Sequence, residues 1–165
     1  MKKLIIALVT VGIVGVSGIL FVRQGLYPLN HKIEIKKYAE KYNVEPALVA
    51  ATIHFETNFK ETPYKEGKPS GLMNINDESG IRIANEANIK IDNKEEVALA
   101  DNNINIGTFY ISKIFNEKNY KEMMAKWIER NGEVEEADKV YASQYYGEKI
   151  EKREKIYKFL YPSLK

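Results

Sequence analysis

Glu56 is the residue whose type and place most suggest chemistry. It closes the segment Pro46-Ala47-Leu48-Val49-Ala50-Ala51-Thr52-Ile53-His54-Phe55-Glu56-Thr57, in which His54 is the only other ionisable side chain. At helical spacing Val49, Ile53 and Glu56 share a stripe, with Thr52 beside it. An otherwise apolar stripe is the face a helix buries, so a carboxyl is expected on the buried side. Burial disfavours the charged form of a carboxyl, and the negative end of a helix dipole acts in the same sense. An acid that keeps its proton near neutral pH is what general-acid cleavage of a glycosidic bond requires. His54 lies two residues away and should point to another face, which makes it a packed helix residue rather than a base. His31 is the only other histidine and the chain has no cysteine, so no metal-ligand spacing is present.

The elements that must position Glu56 read as helices. Ile33, Tyr38, Ala39 and Tyr42 mark a first amphipathic helix, interrupted at Asn43. Pro46 suits the first turn of the Glu56 helix. Asn58 to Ser70 is polar and holds Pro63, Gly67 and Pro69, the composition of a loop. Gly71-Leu72-Met73-Asn74-Ile75 is a short apolar segment. Asn76 or Asp77 can cap a helix running through Ile81 and Ala84. Lys90 to Asn93 reads as a turn. Further helices are expected over Asp101–Lys118, Tyr120–Glu129 and about Ser143–Leu160. Period-two alternation is absent, so the domain is expected to be all-α.

The first 23 residues differ from the rest. Lys2 and Lys3 precede nineteen uncharged residues, Leu4 to Val22, and Arg23 follows. As a helix that run spans roughly 30 Å, a hydrocarbon core. Residues 1–23 are expected to be an uncleaved signal anchor, 24–31 a linker and 32–165 the functional domain, placed outside the cell membrane. A cleaved signal peptide is the alternative. Lys2, Lys3 and Arg23 account for the formal charge of +2; from Gln24 onward 22 basic side chains face 23 acidic ones. A net charge of −1 excludes an electrostatic case for nucleic acid.

Four segments in order carry a family resemblance: Glu56-Thr57-Asn58-Phe59; Gly71-Leu72-Met73-Asn74-Ile75; Asn103-Ile104-Asn105-Ile106-Gly107; and Tyr145-Tyr146 ahead of Lys155 to Pro162. Together they resemble the catalytic domain of the soluble lytic transglycosylase (SLT) family, related to goose-type lysozyme, over about Tyr27 to Pro162. The resemblance implies a lysozyme-like helical fold without metal or organic cofactor. It implies cleavage of the β-1,4 bond between N-acetylmuramic acid and N-acetylglucosamine in peptidoglycan glycan strands, leaving a 1,6-anhydromuramyl product. It places the catalytic acid and base at Glu56. Thr57 stands for the usual serine, and Tyr146 matches a tyrosine near the catalytic group. Met73 and Asn74 stand where the family lines its saccharide groove, with Asn74 for the usual glutamine. Thr57, Met73, Asn74, Asn103, Trp127 and Tyr145 are the expected substrate-binding residues.

One departure stands out. Aligned without gaps, the family's Ala-Tyr-Asn-Ala-Gly segment falls on Ala125 to Arg130. Trp127 can replace the tyrosine as a surface. Ile128 takes the asparagine's place and has no hydrogen-bonding group. Two other readings therefore stay open: a peptidoglycan-binding or scaffold protein on a degenerate enzyme fold, and a hydrolase of the lysozyme type.

Overall fold

The computed structural model describes residues 17–116 and 119–164. Among these residues the chain is helical: α1 (Lys32–Tyr42), α2 (Pro46–Thr57), α3 (Asp77–Glu86), α4 (Ala100–Ile114), α5 (Tyr120–Trp127), α6 (Glu136–Tyr141) and α7 (Gly147–Leu160). Tight turns of 3-10 helix cover Lys94–Ala98, Ile128–Asn131 and Pro162–Leu164. The only extended pairings among the described residues are two isolated bridges, Thr62 with Gly71 and Ser70 with Ile75. The all-α expectation holds.

The core is built around α2. Its residues Ala47 to Ile53 are all buried, so the helix is enclosed on every side rather than on one stripe. α7 packs along α2, while α1 lies across α4. Small side chains at Ala47, Ala50 and Ala51 let the neighbours approach, and Pro46 occupies the first turn, where its missing N–H costs nothing. Ile33 is 80% exposed, contrary to expectation. Ile35, two residues on, faces the core with Tyr38 and Ala39, and a helix cannot turn residues two apart to one side.

Two elements differ from the sequence reading. α5 ends at Trp127 and tightens into the turn Ile128–Asn131. α6 was not expected. It runs into a stretch of π-helix, Ala142–Tyr146, that leads directly into α7. Asn76, not Asp77, caps α3, accepting from the Ser79 N–H at 2.8 Å.

The expected linker is docked. Val22–Leu26 forms one wide helical turn, and the Tyr161 hydroxyl reaches the Tyr27 carbonyl at 2.7 Å and that of Arg23 at 2.9 Å. Tyr157 donates to the Pro28 carbonyl at 2.8 Å. Tyr157 of α7 and Tyr161 just beyond it thus strap residues 23–28 to the domain. The expected membrane span, Leu4 to Val22, lies mostly outside the described residues. Among those described, no helix is long and apolar enough to cross a membrane.

Candidate active site

Glu56 sits in the last turn of α2, where the enclosed helix reaches the surface. Its side chain is 11% exposed. The helix stops because Asn58 and Phe59 take left-handed backbone angles, φ 51° and 61°. Asparagine accepts that conformation readily. Phe59 is held there by burial, its ring 6.2 Å from Tyr157. The Thr57 hydroxyl donates to the Leu72 carbonyl at 2.7 Å, tying the helix end to the loop that faces Glu56.

That loop, Ser70 to Ile75, is held from below by Asn103. Asn103 is fully buried. Its side-chain oxygen accepts from the Met73 N–H at 2.7 Å, and its amide donates to the carbonyls of Val97 at 2.9 Å and Ser70 at 3.2 Å. Gly71, at φ 74°, lies so close that an added Cβ would sit 2.5 Å from the Asn103 side chain. Met73 fills the space above Gly107, where a Cβ would collide with its sulfur. Asn103 and Met73 are expected from the sequence to contact sugar, but neither has exposed surface. They fix the loop so that Asn74 meets Glu56.

Asn74, itself left-handed at φ 47°, points its amide at Glu56, 3.2 Å from the main-chain oxygen and 3.3 Å from Oε2. Thr62 donates to the Asn74 side-chain oxygen at 3.1 Å, which sets the amide's orientation. The other Glu56 oxygen, Oε1, accepts from the Trp127 indole N–H at 2.7 Å. Trp127 is fully buried, which corrects its expected role as a sugar platform: it grips the carboxylate instead.

Arg130 completes the arrangement and was missed by the sequence reading. Its Nη2 lies 2.8 Å from Glu56 Oε2, and its side chain is only 7% exposed. It donates to the carbonyls of Trp127 at 3.0 Å, Asn74 at 3.1 Å and Met73 at 3.3 Å, and its guanidinium lies 4.5 Å over the Trp127 ring. Burial pushes Arg130 below the usual arginine range, and the Glu56 charge opposes that push. The carboxyl is on the buried side as expected, and it has a charged partner there. Spacing held a signal for this: residues 127 and 130 are three apart on one helical turn, so an inward tryptophan carries the arginine inward. Asn131 follows, donating to the Asn74 carbonyl at 2.7 Å and accepting from the Asn76 N–H at 2.8 Å.

The opposite side is aromatic. The π-helical stretch carries Tyr145 and Tyr146. Tyr146 packs its ring 5.0 Å from that of Phe55, the neighbour of Glu56, and 5.2 Å from Tyr141. Its hydroxyl makes no hydrogen bond to Glu56 among the described residues. Tyr145 is 54% exposed and lies 4.6 Å from Tyr141. Ile128, Val134, Asp138, Tyr141 and Tyr146 line a cleft of about 230 Å³. His54 is turned away, its ring edge-on to Tyr27 and Tyr157 at 5.0 and 5.7 Å. Burial, assisted by Arg153, lowers its pKa to about 4. Among the described residues no cluster of side chains suited to a metal ion occurs.

Three side chains thus hold the Glu56 carboxylate, and Tyr146 packs on its neighbour Phe55. Comparison with solved structures gives the lytic transglycosylase Slt of Pseudomonas aeruginosa, solved as an inactive mutant with glutamine for one glutamate. The match has a TM-score of 0.66 at 14% identity, over 81% of this chain and 24% of that one. The chain thus spans about a quarter of the length of that protein, and the likeness is one of fold. No curated protein matches. The family model described as "Transglycosylase SLT domain" matches residues 34–138, from α1 through Glu56, the 70–76 loop and Arg130 into α6. This chain, a lysozyme-like helical domain, belongs to the transglycosylase SLT domain family.

Proposed function

We propose that this protein is a peptidoglycan lytic transglycosylase in which Glu56 serves as both acid and base. The observation that carries the reading is the Glu56 carboxylate, held by Trp127, Arg130 and Asn74 beside Phe55, on which Tyr146 packs, in a chain of this family. Glu56 gives its proton to the leaving N-acetylglucosamine oxygen as the bond to muramic acid C1 breaks. It then takes a proton from the muramic acid 6-hydroxyl as that oxygen closes on C1. The substrate's own N-acetyl group steadies the cationic sugar, so no second protein carboxylate is required, in contrast to two-carboxylate glycosidases. Tyr145, half exposed, supplies sugar contact, and Tyr146 moves its hydroxyl toward Glu56 once the cleft is filled. Asn74 and Thr57 complete the groove. The run Leu4 to Val22 anchors the protein in the cell membrane with the domain outside.

The test is to digest purified peptidoglycan with the full chain and weigh the muropeptides. Anhydro products, lighter by one water than reducing ones, are expected. Reducing ends alone would replace the reading with hydrolysis, and no product at all would remove it. One observation favours a second reading, binding without cleavage: both Glu56 oxygens are already engaged. That reading predicts pelleting with peptidoglycan, unchanged by Glu56→Gln and without products.

A further inference from the structure

The Glu56–Arg130 pair sits awkwardly with an acid. General-acid catalysis needs a proton on Glu56, yet a guanidinium lies 2.8 Å from its Oε2. Arg130 cannot swing freely, because three main-chain carbonyls and the Trp127 ring hold it. Nor can its charge be screened, because only 7% of its side chain meets solvent. A buried cation deprived of its anion is costly, so the pair is held together.

Asn74 links the pair to the groove. Its amide contacts Glu56 Oε2, and its carbonyl accepts from the same Arg130 nitrogen that reaches Glu56. Asn74 is half-buried, whereas Trp127 and Arg130 are buried. A ligand that engages the Asn74 amide therefore disturbs both contacts at once.

We propose that Arg130 is a positioning residue that keeps Glu56 in the resting site as an ion-paired carboxylate, and that Glu56 takes up its working proton only as the Arg130 contact loosens. This rests on the reading of Glu56 as acid and base. The proton comes from solvent water and binds Oε2, the oxygen Arg130 gives up. It passes to the leaving sugar oxygen as the C1–O bond breaks. The proton removed from the 6-hydroxyl as the new C1–O bond forms restores Glu56 to its protonated form. The proton is thus conserved through the reaction and exchanges with solvent only when Arg130 closes again.

Other charged or titratable groups around the pair are identifiable. Tyr110 of α4 packs 5.9 Å from Trp127, and Arg82 and Glu86 of α3 and Glu129 of the tight turn act on it. Tyr146 and Asp138 line the cleft, and Arg153 of α7 lies 5.6 Å over Phe55. His54, on the same helix as Glu56, faces Tyr27 and Tyr157 instead.

Trp127 makes the proposal measurable without activity. It is the only tryptophan in the chain, and its indole N–H is bonded to Glu56. The experiment is a pH titration of tryptophan fluorescence on the full chain in detergent. Wild type should show one transition that is lost in Glu56→Gln. In Arg130→Met the transition should move to higher pH, the effect of removing an opposite charge at contact distance. Arg130→Lys should rise less, and it carries the test if Arg130→Met does not fold. The high-pH limb of peptidoglycan cleavage should move with the midpoint. A transition that survives Glu56→Gln, or a midpoint unmoved in a folded Arg130 variant, overturns the proposal. If the fluorescence behaves as expected and no muropeptide is released, the proposed reaction fails and the positioning role stands.

Discussion

The two walls that flank the end of α2 are built on opposite plans. One wall, the 70–76 loop with the Ile128–Asn131 turn, is a closed polar network. Asn103, Arg130 and Asn131 spend their hydrogen bonds on the loop's main chain, and Asn74, Arg130 and Trp127 spend theirs on Glu56. The other wall, Tyr141 through Tyr146, holds itself by ring contacts and leaves Tyr141 and Tyr145 half in solvent. A wall with every polar group engaged can position a carboxylate but has little left to offer a ligand. A wall of exposed rings, carried on a π-helical stretch of the kind often found at functional sites, can receive one. Under the proposed function, catalytic placement and ligand contact fall to different segments.

The sharpest way to break this contrast is Glu56→Gln. The isosteric change strands the buried Arg130 charge, at a cost of roughly 3–5 kcal/mol. Urea unfolding measures it, and Glu56→Gln/Arg130→Met should regain most of the loss. A variant as stable as wild type would mean that the polar wall does not depend on the pair. Next comes Asn103→Ala, which removes the partner of the Met73 N–H and the Asn103 contacts of the Val97 and Ser70 carbonyls, the latter keeping the Ile75 N–H. A destabilisation of about 2–3 kcal/mol is expected, together with a loss of activity larger than any loss of peptidoglycan binding, because the loop that orients Glu56 loosens.

The aromatic wall should respond in the opposite sense. Tyr145→Ala should change stability by no more than about 0.5 kcal/mol, as for other exposed positions. Its peptidoglycan affinity should drop by up to about tenfold, or 1.4 kcal/mol. Pelleting and urea curves on the same preparation separate the two effects. Binding unchanged with stability lost would reverse the assignment of the walls.

The smallest effect concerns His54. Its pKa is lowered from 6.5 to about 4 in the folded chain, so the unfolded chain binds the proton first. Stability is therefore full above pH 6.5 and declines as pH falls toward 4. His54→Phe should lose less stability than wild type between pH 7 and pH 4.5, read as the shift in urea midpoint. An equal loss would place the acid sensitivity elsewhere.

Much of this was legible in the sequence, for identifiable reasons. The helices appear because apolar residues recur at helical spacing, and Glu56, Asn74 and the motif order carried the family. What escaped was orientation. Trp127, Met73 and Asn103 were identified as important, but their burial turns them from ligand contacts into supports. Arg130 escaped because a lone arginine beside Asn-Gly reads as a surface turn, and only the fold brings it 2.8 Å from a residue 74 positions earlier. Ile128 was read as a missing amide. The turn has an amide at Asn131, committed to Asn74 and Asn76, while Ile128 lines the aromatic cleft. α6 and the π-helical stretch escaped because no apolar stripe announces them: none of the α6 residues is buried.

The most direct test of the central claim, that the polar wall serves one carboxylate for bond cleavage, compares muropeptides released by wild type, Glu56→Gln and Glu56→Gln/Arg130→Met. Wild type should release anhydro-muropeptides. Both Gln variants should fall by about 10²–10⁴-fold, the span of general acid–base catalysis, the double variant doing so although its fold is restored. Anhydro product from the restored double variant at the wild-type rate would contradict the account.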